Sequence, residues 1–303
     1  MNSIWNYNKI VDVGEPFRLT LGEGFTPVTH IEVDGLEICL KLEDRNPTGS
    51  FKDRSLAYQL SHYISQGKCS FVISSSGNAA ISAVAYANKA DVKLDVFVST
   101  KINKEKSGIL KGFVDKKVAI HKVQRPKSEA IQFAKKNEAV NLRGSTDEHA
   151  VTGFKTIAYD LYEQCPDLDS VFVPCSSGTG STGINKGFEE LDKDVQLHVC
   201  QTTRIHPIAS ETDQDFKPSK TSLADAITDR VAKRKKSLLE CVAKSGGAGW
   251  VLSDSDLHKA QSAMEKGGLD DISYNSLLSV AGILKARESG HEFVKPVAVI
   301  SGR

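Results

Sequence analysis

The chain has no excess of either charge. Lys+Arg 39 stand against Asp+Glu 38 in 303 residues, a formal net charge of +1. That balance removes the broad basic surface that nucleic acid or an anionic membrane would call for. One basic run, Lys233 to Lys236, sits in an amphipathic segment with Leu238 and Leu239 and reads as a solvated helix face. No stretch approaches the roughly 18 apolar residues of a membrane-crossing helix. The N-terminal "MNSIWNYNKIVDVGEPF" lacks the basic start and apolar run of a secretory signal. The six cysteines, at 39, 69, 165, 175, 200 and 241, form no C-x-x-C pair and have no histidine at ligand spacing. Neither structural zinc nor a disulfide framework is expected; buried free thiols in a reducing cytoplasm are. Internal repeats and low-complexity tracts are also missing.

What is present is alternation. From about residue 53, short β-branched runs ("FVISSS", "KLDVFVS", "KVAIHKV", "SVFVPC", "QLHVCQ") are separated by helical patterns ("AAISAVAYANKA", "KSEAIQFAKKN", "GFKTIAYDLYEQC", "GINKGFEEL"). The chain closes on a helix, "LLSVAGILKARE", and a strand, "PVAVIS". Such βαβ units predict an α/β fold with mostly parallel sheets covered on both faces. Ligands of open α/β sheets bind at the carboxyl ends of strands, where the following helix offers backbone amides. Three strand ends here are rich in Gly and Ser: "SSSGN", "SSGTGSTG" and the terminal "SGR".

"GTGSTG", Gly178 to Gly183, has the G-x-G-x-x-G spacing of a dinucleotide turn. That reading needs an acidic residue at the end of the next strand, where "VCQTTR" has Gln201; Arg204 leaves only an NADP version. The other functional reading is a cradle of amides and hydroxyls for one phosphate, with Ser176, Ser177, Thr179 and Ser181 as added donors. A purely structural glycine turn is the third. At "SSSGN", hydroxyls and amides at a helix start suit a carboxylate, and Asn78 is either a ligand-facing amide or the helix N-cap. "NPTGSFKDRS", Asn46 to Ser55, is a turn with backbone amides expected to be free, ending on Lys52. A desolvated lysine near a phosphate cradle and a carboxylate nest suits Schiff-base chemistry with a phosphorylated aldehyde.

Seven segments stand in the order found in threonine synthases: "LGEGFTPV", "KLEDRNPTGSFKDRS", "SSSGNAAISAVAYA", "VTGFKTIAYDL", "VFVPCSSGTGSTGINKGF", "SGGAGWVLSDSDL" and "SVAGILKA". The chain therefore resembles the tryptophan synthase β-like (fold type II) pyridoxal-phosphate enzymes over nearly its whole length. The resemblance implies two three-layer α/β/α domains with mostly parallel twisted sheets. The large one would span 1–46 and 142–303, and a small mobile one 47–141, with the cofactor cleft between them. It further implies that Lys52 is the Schiff-base lysine and that Asn78 faces the cofactor's ring hydroxyl. Ser75, Ser76, Gly77 and Ala79 would line the substrate site, with a nest for the carboxylate at 75–77. Ser177, Gly178, Thr179 and Gly180 would hold the cofactor phosphate, and Ser301 the pyridine nitrogen. A neutral hydroxyl there favours elimination and replacement over transamination.

The departures from the family's pattern touch the substrate. Ala79 and Ala80 follow Asn78 where the family has Thr-Ser, Ala150 stands at the place of a phosphate-gripping Arg, and Ser273 at that of a Glu. Arg143, His149 and Lys155 are the substitute cations. The expected activity is thus a lyase of the threonine synthase type, converting O-phosphohomoserine and water to threonine and phosphate. A serine/threonine dehydratase or β-replacing enzyme, and a non-catalytic cofactor-binding homologue, are the alternatives. The partner is a small amino acid, and the family suggests a homodimer.

Overall fold

The structure, a computed structural model, describes residues 3–9, 12–102 and 104–303. The part of the N-terminal reading that rests on Met1, Asn2, Ile10 and Val11 lies outside them. Along the described residues run β1 Val28–Val33, β2 Leu36–Leu42, α1 Lys52–Ser65, β3 Ser70–Ser74, α2 Asn78–Ala90, β4 Lys93–Ser99, α3 Lys104–Gly112, β5 Val118–Val123, α4 Pro126–Asn137 and β6 Val140–Asn141. There follow α5 His149–Gln164, β7 Ser170–Pro174, α6 Thr179–Glu190, β8 Gln196–Thr202, α7 Lys235–Lys244, β9 Gly249–Leu252, α8 Asp254–Lys266, α9 Tyr274–Glu288 and β10 Pro296–Ile300. The alternation read from the sequence is there, with element ends moved by a few residues. α6, for example, begins at Thr179 because Gly178 serves as its N-cap.

The chain forms two compact units: Met1–Phe25 with Asn46–Gly153, and Thr26–Arg45 with Phe154–Arg303. The first contains the 47–141 expected for the small domain together with 1–25, 46 and 142–153, which the resemblance places in the large one.

The first unit is built on a parallel four-stranded sheet in the order β5-β4-β3-β6. Val72 and Phe97 on one face pack against Ala130 and Phe133 of α4, while α2 packs against β3 and β4 and carries α1. The second unit's six-stranded sheet runs β1-β2-β10-β7-β8-β9. It is parallel apart from the β1–β2 hairpin, which the alternation did not predict. Its signal is the dipeptide Asp34-Gly35. Both residues have positive φ (49° and 75°), as a two-residue turn matched to strand twist requires.

Strand β2 shows how this sheet is covered on both sides. Ile38 and Leu40 join one core with Leu277, Val280 and Ala281 of α9 and Leu257 of α8. The alternate residues Cys39 and Lys41 face α5, where Lys41 Nζ donates to Asp160 Oδ2 at 2.8 Å and Gln164 Oε1 at 2.7 Å. Lys41 and Asp160 are both fully buried. A period of two thus sends apolar residues to one layer and a buried ion pair to the other.

Candidate active site

In the first unit, the "NPTGS" turn satisfies itself rather than leaving its amides free. Gly49 N–H donates to Asn46 O, and Thr48 N–H to Asp53 Oδ2 at 2.7 Å. Asn46 Oδ1 in turn accepts from Gly24 N–H at 3.0 Å. Asp53 and Arg54 are fully buried, so the start of α1 is pinned from beneath. Lys52 is its first residue, half-buried, with its Nζ 4.3 Å from the centre of the Phe51 ring. The turn therefore fixes where this lysine begins and leaves only its side chain to reach a ligand.

Glu23, fully buried beside this turn, accepts from Tyr86 Oη–H at 2.6 Å and Leu21 N–H at 3.0 Å. Burial raises its carboxyl above the ordinary 4.5.

Strand β3 ends at Ser74, and Ser75, Ser76 and Gly77 lead into α2. Sheet order makes this a topological switch point, since β4 and β5 lie to one side of β3 and β6 to the other. Gly77 is the N-cap and Asn78 the first helical residue, so the capping role considered for Asn78 falls to Gly77. Ser75 Oγ accepts from Gly77 N–H at 3.3 Å. A side chain on Gly77 would meet nothing within 4 Å, so the loop opens to a space that a bound group could enter. Ala79 follows in the first turn, where helix N–H groups point outward.

The second unit has its own switch point. β8 and β9 continue to one side of β7, and β10 returns on the other. Ala298 of β10 pairs with Phe172 of β7, so the two parallel strands end at the same edge. There Ser177 to Gly180 follow β7, and Ser301 follows β10. Gly178 has φ +89° and caps α6; Ser177 Oγ and Thr179 Oγ1 lie 3.0 Å apart. Ser181 Oγ and Thr182 Oγ1, in the first turn of α6, are buried and make no hydrogen bond. Buried hydroxyls pair almost always, so two orphans at a helix N-terminus fit an anion. Pyridoxal phosphate offers such an anion, and the residues present suit it.

Ser176, expected as a further donor, instead turns its Oγ to accept from Thr228 N–H at 3.2 Å and Asp229 N–H at 3.3 Å. Gln201, where a dinucleotide site needs an acid, is taken up by backbone. Its Nε2 donates to Cys175 O, and its Oε1 accepts from the Ile208 and Ala209 amides. Arg234, in the supposedly solvated basic run, is 8% exposed and packs beside Gly178.

Sequence reasoning missed what holds the last strand end. Ser276 and Ser273 of the "DISYNS" segment both donate to Gly302 O, at 2.7 and 2.6 Å, and Ser276 Oγ accepts from Gly302 N–H at 3.1 Å. Ser279 Oγ donates to Val299 O at 3.1 Å. The signal was the spacing of 273, 276 and 279, which puts three hydroxyls on one helix face.

Two of the substitute cations have partners within their own unit. Lys155 Nζ pairs with Glu190 Oε1 at 2.5 Å in the second unit. In the first unit the His149 ring stacks 3.6 Å from that of His62, and Ala150, fully buried, accepts from Ser55 Oγ–H through its carbonyl. Arg143 lies half-buried ahead of a short 3₁₀ turn. Among the described residues, no cluster of His, Cys, Asp and Glu could hold a metal, and no helix is long and apolar enough to cross a membrane.

Residues 19–302 match the family described as pyridoxal-phosphate dependent enzyme. Threonine synthase of Mycobacterium bovis is 26% identical over 299 residues, covering 90% of this chain and 81% of that protein. Threonine synthase of Methanocaldococcus jannaschii is 25% identical, covering 95% and 76%. Among solved structures, maize serine racemase superposes with a TM-score of 0.80 at 17% identity, covering 92% of this chain and 88% of that one. Threonine deaminase isoform 2 from Solanum lycopersicum does so with 0.79 at 16% identity, covering 99% and 89%. The shared architecture is the tryptophan synthase β-like α/β fold expected from the sequence. The chain belongs to the pyridoxal-phosphate dependent enzymes.

Proposed function

We propose that this enzyme is a lyase that eliminates or replaces a group at the β- or γ-carbon of a small amino acid, in the manner of a threonine synthase. The observation that carries the reading is the shared edge of β7 and β10, where the Gly178 turn, two orphaned hydroxyls and Ser301 follow adjacent strand ends. Pyridoxal phosphate, when bound, supplies the electron sink that stabilises negative charge developing at the substrate's α-carbon.

The chain's residues do the rest. Lys52 Nζ would hold the cofactor covalently, and its free amine would take up and return the proton at the substrate's α-carbon. Ser75, Ser76 and Gly77 would hold the substrate carboxylate at the N-terminus of α2, with Ala79 lining the substrate site, and the Asn78 amide would serve the cofactor's ring hydroxyl. Ser177, Gly178, Thr179 and Gly180, with Ser181 and Thr182, hold the phosphate against the N-terminus of α6. Ser301 offers a hydroxyl to the pyridine nitrogen. A hydroxyl cannot keep that nitrogen protonated as a carboxylate would, so elimination and replacement are favoured over transamination. Assignment of residues from both units to one cofactor rests on family membership.

O-phosphohomoserine is the substrate suggested by likeness to the threonine synthases. A dehydratase or β-replacing activity on an unphosphorylated amino acid is the second reading. It is favoured by buried Ala150 and by the engagement of Lys155 with Glu190, which remove candidate grips for a substrate phosphate. A homodimer in the cytoplasm completes the proposal.

The test is a visible spectrum of the purified enzyme, followed by steady-state kinetics. We expect cofactor absorbance in the wild type that is lost in Lys52→Ala, with turnover lowered about 10³-fold or more. A protein that cannot be reconstituted with pyridoxal phosphate would overturn the assignment. Efficient threonine formation from O-phosphohomoserine would remove the second reading, and faster turnover of serine or threonine would establish it.

A further inference from the structure

Cys39, midway along β2, and Cys165, one residue beyond α5, bring their sulfurs to 2.9 Å. Both are buried, at 0% and 1% exposure. Each is held by separate anchors. Cys39 pairs with His30 on β1 and Val297 on β10. Cys165 N–H closes onto Leu161 O at 2.8 Å, and the neighbouring Gln164 and Asp160 are tied to Lys41, two residues along from Cys39. The sulfurs therefore meet because the sheet and the helix are docked, and they would meet again after any local opening. Of the other cysteines, Cys175, just beyond β7, and Cys200 on β8 are buried and joined by Cys175 N–H to Cys200 O at 2.9 Å, while Cys69 is exposed and Cys241 half-exposed.

The two thiols are chemically unequal. Either sulfur can donate across this contact; the shared proton raises the Cys39 thiol and lowers that of Cys165, burial raises both, and Lys41 and Lys295 favour charge on each. Cys165 is the sulfur prepared to attack.

We propose that Cys39 and Cys165 form a reversible intramolecular disulfide, made by hydrogen peroxide, that staples α5 to β2 in the second unit. The Cys165 sulfur attacks one peroxide oxygen and the O–O bond breaks, leaving a sulfenic acid and one water. The Cys39 sulfur then displaces the hydroxyl, forming the S–S bond and a second water. Two thiols lose two protons and two electrons, and the peroxide takes up both. The bond would join positions 126 apart in sequence, so its main effect is to restrict the unfolded chain. Neither sulfur belongs to the residues assigned to the cofactor, so the staple acts on stability and leaves the site's side chains in place.

The test uses the reduced, full-length, cofactor-loaded protein, treated with hydrogen peroxide and then alkylated in denaturant. Free thiols should fall from six to four, and peptide mapping should find Cys39 joined to Cys165. The melting temperature should rise by about 5 °C and return on reduction with dithiothreitol. Cys39→Ser and Cys165→Ser should each abolish both effects, and in Cys39→Ser a sulfenic acid on Cys165 should be trapped by dimedone. Full alkylation of Cys39 and Cys165 while Cys69 is oxidised would overturn the proposal, as would a cross-link that leaves the melting temperature unchanged. The wild-type map decides the question even where a variant folds poorly.

Discussion

Ser276 and Gly302 hold each other twice. The glycine N–H donates to the serine Oγ at 3.1 Å, and the serine hydroxyl donates back to the glycine carbonyl at 2.7 Å. Ser276 is fully buried in α9, so this clamp fixes the residue next to Ser301 from behind. Ser276→Ala leaves a buried amide without its acceptor, which costs about 1–3 kcal/mol. We expect a lower denaturation midpoint together with weaker retention of pyridoxal phosphate, read by titration of the cofactor-free protein. An unchanged cofactor affinity would separate the clamp from Ser301's role.

Gly178 is a second place where geometry, not chemistry, carries the site. Its φ of +89° strains any other residue, and an added Cβ would sit 2.9 Å from Leu238 Cδ2. Gly178→Ala should cost about 1–2 kcal/mol from backbone strain alone and loosen the cofactor phosphate. Gly35→Asn makes a control, since Gly35 also has positive φ but open space around it. That variant should retain cofactor as the wild type does in the same titration.

The buried pair Lys41–Asp160 should behave asymmetrically. Lys41→Met removes the cation beside a fully buried carboxylate and should destabilise the chain by about 3–5 kcal/mol. The double variant Lys41→Met/Asp160→Leu should recover most of that loss. Denaturant unfolding of the three proteins gives the comparison.

Acid should unfold this protein partly through His198. Its Nδ1 accepts from Ala248 N–H and Trp250 Nε1–H, each at 3.1 Å, so the ring is held neutral. Burial, and then the nearby His291, push its pKa from 6.5 down to about 3. The folded state therefore binds fewer protons than the unfolded state between those values. The stability it contributes is present above 6.5 and lost as pH falls toward 3. His198→Asn keeps an acceptor near Nδ1 and should flatten the decline in urea midpoint between about pH 7 and about pH 4.5.

The α/β alternation was legible because buried parallel strands are short, β-branched and flanked by helical periodicity. The antiparallel β1–β2 hairpin escaped notice, although Asp34-Gly35 announced it, because its strands precede the alternating region. The partners of Ser176 and Gln201 were not legible for a common reason: both lie at strand ends, where a polar side chain serves backbone or ligand equally well. Which it serves depends on loops remote in sequence, here 228–229 and 208–209.

By itself the sequence determined the kind of fold and, through the resemblance carried by "NPTGSFKDR", "SSSGN" and "GTGSTG", the cofactor family, since short motifs are read without knowing what packs on them. Tertiary structure decided what those turns are made of. It closed the Asn46–Ser50 turn on Asp53, left Ser181 and Thr182 without partners, and locked the end of β10 with two serines of α9. It also brought Cys39 to Cys165 across 126 positions. Such contacts join residues that no local rule relates, so only the packing of sheet against helix could choose them.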